Sequence, residues 1–170
     1  MPISKAKRAA TQGSPAATPL MIAGNLRNSE ATAEVRSPFD NHVIASVCQA
    51  TGGDADEALR AAEHAFAETK SLPSWRRAAI LEHIAARIER EALDLARGIA
   101  LEAGKPLSAA RTEVQRAVQT FRVAAEEAKR ISGELQPLDS TARNENRVGL
   151  IRRFPNGPSL GITPFNFPVN

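Results

Sequence analysis

Residues 159–170 read Ser-Leu-Gly-Ile-Thr-Pro-Phe-Asn-Phe-Pro-Val-Asn, which is the most distinctive segment of the chain. Its first part, 159–163, is mainly apolar or β-branched and predicts a strand. Thr163 and Pro164 break that strand, because proline has no backbone N–H for a sheet ladder. An asparagine, Asn166, follows between two phenylalanines and just before a proline. The segment therefore predicts a strand that runs into a sharp loop, and a plain turn asparagine before proline fits the same residues.

The residues before this stretch predict a second strand and a long helix. Residues 147–154 are apolar enough to form a strand, which a Pro-Asn-Gly-Pro turn over 155–158 joins to 159–163. Apolar residues recur at helical spacing from 107 to 132 and predict one long helix. Residues 134–146, between the helix and the strands, are interpreted as a polar connection.

Two further helical segments precede the long helix. Asp54 stands three residues before Glu57, which is the spacing of a capping box at a helix start. Pro73 opens the next helix at a tolerated first-turn position, and Gly98 marks a joint inside that helical stretch. The stretch stops at the Gly-Lys-Pro sequence of residues 104–106, because glycine suits a C-cap and proline cannot continue a helix interior.

The amino-terminal part predicts β-structure. Residues 20–22 form a short apolar run, and residues 34–36 and 42–48 predict the two strands of a hairpin. The Ser-Pro-Phe-Asp-Asn sequence at 37–41 supplies the turn, since proline fixes φ and Asp or Asn tolerates the left-handed region. Residues 1–19 lack acidic residues and an apolar period, and they predict a disordered basic extension. A transit peptide fits the same composition.

Composition restricts the classes of function. The hydrophobic fraction of 42% and the charged fraction of 24% are ordinary for a globular protein. The formal net charge is +3, but residues 1–29 hold four basic residues and no acidic ones, so the remainder carries −1. That distribution, with one Trp and no Tyr, argues against nucleic-acid binding. No apolar run is long enough to span a membrane, and the three histidines lack the spacing of metal ligands.

Two residues with reactive side chains have plain structural interpretations. Cys48, the single cysteine, cannot form an internal disulfide, which predicts a reducing compartment such as the cytoplasm. No electropositive helix terminus adjoins it, so a structural role is favoured over a nucleophile. Lys105 is interpreted as a surface charge that stabilises the end of a helix dipole rather than as a catalytic group.

Three further motifs accompany the terminal segment in a fixed order. They read Val-Arg-Ser-Pro-Phe-Asp-Asn-His-Val-Ile-Ala at 35–45, Glu-Ala-Gly-Lys-Pro at 102–106 and Glu-Ala-Lys-Arg-Ile-Ser-Gly-Glu at 127–134. Together with Ile-Thr-Pro-Phe-Asn-Phe-Pro at 162–168, they resemble the amino-terminal part of an NAD(P)-dependent aldehyde dehydrogenase. The resemblance covers residues 20–170. It implies an α/β fold, namely part of a Rossmann-type cofactor-binding domain with a β-hairpin, several long helices and the first strands of the sheet.

The resemblance also implies an oxidation chemistry. In the family, a cysteine thiolate adds to an aldehyde, hydride passes to the nicotinamide, and a glutamate-activated water hydrolyses the resulting thioester. By position, Asn166 is the asparagine whose side-chain amide holds the oxyanion, a task that suits a neutral, fixed donor. Ile162, Thr163, Pro164 and Phe165 match the segment that lies along NAD or NADP.

The family's reactive cysteine, catalytic glutamate and Gly-rich phosphate loop lie beyond the matching part. The resemblance therefore implies that residues 1–170 are an incomplete catalyst, inactive alone. It implies a homodimer or homotetramer for the full-length form, with strand 147–154 in the oligomerisation region, a small aldehyde substrate, and no nucleic-acid or membrane partner. The terminal motif resembles members that act on small polar, phosphorylated or semialdehyde substrates. A non-catalytic helical interaction module is the alternative function, and it leaves the terminal motif unexplained.

Overall fold

The structure, a computed structural model, describes residues 16–169. Within this range, four α-helices, one short 3-10 helix (Ala142–Asn144) and three two-stranded antiparallel sheets confirm the predicted α/β class. The strands are β1 (Leu20–Ile22), β2 (Asn25–Arg27), β3 (Thr32–Arg36), β4 (Val43–Cys48), β5 (Glu134–Pro137) and β6 (Val148–Ile151). The helices are α1 (Gly52–Thr69), α2 (Ser74–Arg90), α3 (Ala92–Ala103) and α4 (Leu107–Arg130). None of these helices is long and apolar enough to cross a membrane.

The predicted hairpin is confirmed as β3 and β4, which pair antiparallel. Two backbone hydrogen bonds close its turn: the Ser37 N–H donates to the His42 carbonyl, and the Asn41 N–H donates to the Ser37 carbonyl, each over 2.9 Å. Asn41 has a φ of 60°. This left-handed conformation is one that asparagine tolerates better than most residues, so the turn chemistry and the turn geometry agree.

The predicted amino-terminal extension is described only at its end. Residues 1–15 lie outside the described residues. Thr18 lies beside β4, where its N–H donates to the Ser46 carbonyl over 2.8 Å and its carbonyl accepts the Cys48 N–H over 2.9 Å. These bonds add a parallel bridge between Thr18 and Val47 to the β3–β4 sheet.

Helix α1 begins earlier than its predicted capping box. The box predicted at Asp54 and Glu57 is wrong, because Thr51 is the cap and Asp54 is its third-position partner. The Thr51 hydroxyl accepts the Asp54 N–H over 3.2 Å, and the Asp54 carboxylate accepts the Thr51 N–H over 2.8 Å. Glu57 instead pairs with Arg27 at 2.7 Å, which ties β2 to α1. A Gly-Gly pair opens the helix, and such weak helix formers hid its start in the sequence.

The core lies between α4 and the two helices α2 and α3. Small side chains dominate both contact regions, and small side chains allow helix axes to approach closely. The α2–α4 region contains Ala78, Ala125 and Ala128, and the α3–α4 region contains Ala96, Ile99, Ala110 and Val114. The long helix predicted over 107–132 is confirmed, and five residues of its predicted apolar stripe are buried, namely Ala110, Val114, Ala117, Ala125 and Ala128.

The joint predicted at Gly98 is wrong. Helices α2 and α3 separate at Glu91, whose φ of −94° and ψ of 11° leave the helical region. Gly98 lies inside α3, where a single glycine costs only about 1 kcal/mol, and the packing of α3 on α4 carries the helix through it. The stop predicted at residues 104–106 is confirmed, since Gly104 ends α3 with a φ of 65°.

The carboxyl-terminal part differs most from its prediction. Strand β6 confirms the centre of the strand predicted at 147–154, but its partner β5 lies in the stretch predicted as a polar connection. Gly133 permits their approach, because a Cβ there would lie 2.0 Å from the Ile151 carbonyl oxygen. The strand predicted at 159–163 is wrong: its backbone finds no ladder partner within the described residues, and a strand exists only with a partner.

Candidate functional site

The segment that carries Asn166 folds back onto the helical core. Residues 165–169 form a turn beside the connection between α3 and α4. At the end of this turn, Val169 packs against the buried α3–α4 cluster. A cavity of about 410 Å³ lies between α3 and the Pro168–Val169 pair. The loop is therefore seated on the core although most of its residues are exposed.

Lys105 holds this loop through three different groups. Its ammonium donates to the Glu113 carboxylate over 2.5 Å and to the backbone carbonyl of Asn166. The same nitrogen lies 4.0 Å from the centre of the Phe167 ring, which is within cation–π range. A lysine ammonium has three N–H donors, so each contact can take one of them.

Glu113 is the buried half of this arrangement. Its side chain is 2% exposed, whereas the Lys105 side chain is 21% exposed. One carboxylate oxygen accepts from Lys105, and the other accepts the Val169 N–H over 3.3 Å. A buried carboxylate is costly unless it is paired and hydrogen-bonded, and both oxygens are engaged here. The pair thus contacts the backbone at both ends of residues 166–169.

Asn166 is held by its backbone, and its side chain is left available. Its carbonyl accepts from Lys105, while the residue as a whole is exposed. Within residues 16–169, no hydrogen bond engages the Asn166 amide. The amide group has two N–H donors for a partner outside this range. A neutral donor on a fixed backbone can stabilise a developing negative charge once the rest of a site encloses it.

The four other predicted site residues precede Asn166 directly. Ile162 and Phe165 are 88% and 90% exposed, and Thr163 and Pro164 between them are also exposed. The five predicted residues thus form one continuous segment, of which residues 162–165 present exposed side chains and, within the described range, backbone groups without a hydrogen bond. Such a segment can contact a flat organic ligand through its backbone and its apolar surface.

Cys48 does not join this segment. It is buried in β4, where its sulfur accepts the Ser29 N–H over 3.3 Å. This burial fits the structural role predicted for it. Across residues 16–169, no group of three His, Cys, Asp or Glu side chains is arranged to hold a metal ion.

Sequence reasoning missed Lys105 and Glu113. The prediction of a surface charge at Lys105 is wrong, because its ammonium points to Glu113 and to the Asn166 carbonyl. A signal was present: Glu113 lies three residues after Ala110 and one before Val114, on the buried face of α4. An acidic residue within an apolar stripe requires a cationic partner.

Known proteins show which family this arrangement comes from. The sequence profile described as the aldehyde dehydrogenase family matches residues 26–170. Aspartate-semialdehyde dehydrogenase 1 from Pseudomonas canavaninivorans is 41% identical over 137 residues, which are 81% of this chain and 29% of that protein. Lactaldehyde dehydrogenase from Methanocaldococcus jannaschii is 37% identical over 81% of this chain and 28% of that protein.

Solved structures agree. Aldehyde dehydrogenase 21 from Physcomitrella patens, in complex with the reaction product succinate, gives a TM-score of 0.87 at 36% identity, over 92% of this chain and 33% of that one. NADP-dependent glyceraldehyde-3-phosphate dehydrogenase from Bacillus halodurans C-125, complexed with NADP, gives a TM-score of 0.85 at 26% identity, over 91% of this chain and 33% of that one. The chain spans about a third of the length of these relatives. It belongs to the aldehyde dehydrogenase family.

Proposed function

We propose that this member of the aldehyde dehydrogenase family supplies the oxyanion-binding asparagine and part of the dinucleotide site of an NAD(P)-dependent enzyme. Such an enzyme oxidises an aldehyde to a carboxylate through a cysteine thioester. The contacts of Asn166 support the proposal most directly. Its backbone carbonyl accepts a hydrogen bond from Lys105, while the residue is exposed and its side-chain amide makes no hydrogen bond within the described residues. A side chain presented in this way is available to a ligand.

The chemistry requires a fixed and neutral donor. When a thiolate adds to the aldehyde carbonyl, a C–S bond forms and the carbonyl oxygen gains a negative charge. The Asn166 amide is proposed to donate an N–H to that oxygen, whereas an aspartate there would repel it. The loss of one such donor costs about 100- to 1,000-fold in kcat.

The segment before Asn166 is proposed to contact the dinucleotide. Ile162 and Phe165 offer exposed apolar surface, and the backbone around Thr163 and Pro164 has no ladder partner within the described residues. These features fit a cofactor held by backbone groups and by packing. When bound, NAD or NADP supplies the hydride acceptor. The relative from B. halodurans is NADP-dependent and was solved with NADP, which supports this class of cofactor.

Further assignments extend this proposal to the assembly and the substrate. Residues 20–170 form part of the cofactor-binding domain, and residues 147–154 belong to the oligomerisation region of a homodimer or homotetramer. Strand β6 pairs only with β5 within the described range, so its other edge can accept a strand of a second subunit. The names of the aspartate-semialdehyde and lactaldehyde relatives support a small polar or anionic aldehyde as substrate. A free Cys48 supports a cytoplasmic location.

The 170 residues alone are expected to be inactive. Their single cysteine, Cys48, is buried in β4 and hydrogen-bonded to Ser29, so the reactive thiolate must come from another part of an enzyme. Incubation of the purified chain with aldehyde and NAD or NADP should give no reduced nicotinamide. Turnover by the chain alone would contradict the proposal.

A hybrid enzyme tests the role of Asn166. Residues 26–170 replace the matching segment of P. patens aldehyde dehydrogenase 21, and the hybrid is assayed with succinic semialdehyde, whose oxidation gives succinate. Asn166→Ala is expected to lower kcat about 100- to 1,000-fold with little change in KM. Asn156→Ala, at another exposed asparagine of the preceding loop, is the matched control and should leave kcat unchanged.

Two outcomes count against the proposal. A kcat for Asn166→Ala within about threefold of the parent hybrid would refute the oxyanion role, because a donor of this kind is worth at least about 100-fold. A hybrid that assembles and melts cooperatively but shows no activity would favour the non-catalytic helical module instead.

A further inference from the structure

We propose that Lys105 and Glu113 are positioning residues for Asn166, so that an ion pair on the helical core sets the direction of the oxyanion donor. This inference rests on the proposed role of Asn166. The new element is that residues of α4 and of the α3–α4 connection orient the Asn166 amide, rather than residues of the loop that contains Asn166.

The first step is that the loop has little support of its own. From residue 152 to residue 164 the chain forms no helix or strand, and no backbone hydrogen bond joins it to the rest of the described range. The hydrogen bonds that fix residues 166–169 come from outside the loop, from Lys105 to the Asn166 carbonyl and from the Val169 N–H to Glu113.

The second step is geometric. The two anchors hold backbone groups three residues apart, so they constrain the peptide plane between residues 166 and 167 and the one between residues 168 and 169. Its ring lies 4.0 Å from the Lys105 ammonium and 5.8 Å from the Arg116 guanidinium carbon, which limits rotation of the loop about its anchors. The direction of the Asn166 side chain follows from its backbone torsions. Fixing the Asn166 carbonyl therefore restricts where its amide can point.

The third step is that the support itself is rigid. Glu113 lies on the buried face of α4 and is 2% exposed. Lys105 lies between two residues with restricted backbones, Gly104 with a φ of 65° and Pro106 with a φ of −54°. A Cβ at Gly104 would lie 3.0 Å from Cγ of Pro38, so the hairpin turn packs closely on this connection. Positions fixed by packing and backbone geometry can hold a donor to the tolerance that catalysis needs.

A purely stabilising ion pair is the competing explanation, and a charge swap separates the two. In the double variant Lys105→Glu/Glu113→Lys the opposite charges remain side by side. A carboxylate at position 105 cannot donate to the Asn166 carbonyl, and an ammonium at position 113 cannot accept the Val169 N–H. A stabilising pair is restored by the swap, whereas the positioning of the loop is not.

Amide hydrogen exchange on the 170-residue chain measures the positioning directly. In Lys105→Met and in the swap variant, exchange of the Val169 N–H and of the peptide covering residues 164–169 should become at least about tenfold faster, since a lost anchor exposes the amide to local opening. Lys129→Met is the matched control, because Lys129 pairs with Glu126 on the exposed face of α4, the helix that carries Glu113. It should leave this exchange unchanged.

Unchanged exchange in Lys105→Met, in a chain with the parent's helical circular dichroism, would overturn the inference. So would a swap variant that restores slow exchange of the Val169 N–H. If Lys105→Met does not fold, Lys105→Arg replaces it in the experiment. Arginine keeps the positive charge, but its planar guanidinium cannot contact the Glu113 carboxylate, the Asn166 carbonyl and the Phe167 ring at once. It should give intermediate exchange, and exchange equal to the parent would overturn the inference.

The hybrid enzyme gives the second readout. Lys105→Met is expected to lower kcat roughly 10- to 100-fold with KM nearly unchanged, because a small misplacement of a catalytic group costs about this much. In the Asn166→Ala background the same change should have no further effect on kcat, since a positioning residue acts only through its target. A further drop in kcat would show that Lys105 acts independently of Asn166 and would overturn the inference. If Asn166→Ala alone has no effect, the proposed function fails, while the exchange experiment still judges the anchoring.

Discussion

Loss of the Lys105 ammonium should destabilise the fold more than loss of the Glu113 charge. Lys105→Met leaves a carboxylate that is 2% exposed without its cation, and breaking a buried pair in this way costs about 3–5 kcal/mol. Glu113→Gln leaves an ammonium that is 21% exposed and keeps the Asn166 carbonyl and the Phe167 ring as partners, so about 1–2 kcal/mol is expected.

Urea unfolding of the 170-residue chain at neutral pH measures this asymmetry. The expected difference of about 2 kcal/mol corresponds to about 4–8 °C in Tm for a domain of this size. Lys105→Met/Glu113→Leu should recover most of the loss, because replacing both members of a buried pair with apolar residues is often neutral or stabilising. Equal losses in the two single variants, or a double variant as unstable as their sum, would refute the argument from burial.

The remaining predictions concern the glycines and the cap of α1. Gly133→Ala should cost about 1–3 kcal/mol in urea unfolding, since its Cβ would lie 2.0 Å from the Ile151 carbonyl oxygen; unchanged stability would show that β5 and β6 can separate freely. Gly98→Ala, where no heavy atom lies within 4 Å of the new Cβ, should instead stabilise by about 0.5–1 kcal/mol, and a loss would place a hidden neighbour there. The hydrogen bond from the Thr51 side chain lowers the pKa of Asp54 in the folded chain. The ionised Asp54 carboxylate therefore stabilises the fold at pH values above the pKa of an unfolded aspartate, about 3.9. This contribution is lost as the pH falls through the lower pKa of the folded state. Thermal melts between about pH 5 and pH 2 should therefore show a shallower acid loss for Asp54→Asn than for the parent chain, and parallel curves would contradict the cap.

Local signals in the sequence predicted the elements that local physics decides. The 37–41 turn, the stop after Gly104 and the apolar stripe of α4 all depend on residues close together in the chain, and the structure confirms each. The strand predicted at 159–163 failed because a strand also needs a partner, which its own residues cannot supply. The joint predicted at Gly98 failed because packing on α4 outweighs the small helix penalty of one glycine.

For the candidate site too, sequence predicted the part formed by neighbouring residues and missed the part formed by distant ones. The Pro-Phe-Asn-Phe-Pro motif allowed Asn166 to be proposed as a site residue, because the motif is contiguous in sequence. Its support was missed because Lys105 and Glu113 meet across a helix connection, and because Lys105 next to a C-cap glycine resembles an ordinary dipole charge. Burial of Glu113 on the apolar face of α4 was the one feature from which the partner could have been inferred.

The separation in sequence between the loop and its anchors predicts an order of folding. The Lys105–Asn166 and Glu113–Val169 bonds join residues 61 and 56 positions apart, whereas helices α2 to α4 follow one another directly. Helices form on timescales of about a microsecond. Closing a long loop loses chain entropy before the contacts between its ends stabilise the fold. We therefore expect the Lys105–Glu113 ion pair to form before Asn166 reaches it. On this order of folding, residues 166–169 dock onto a helical surface that has already formed.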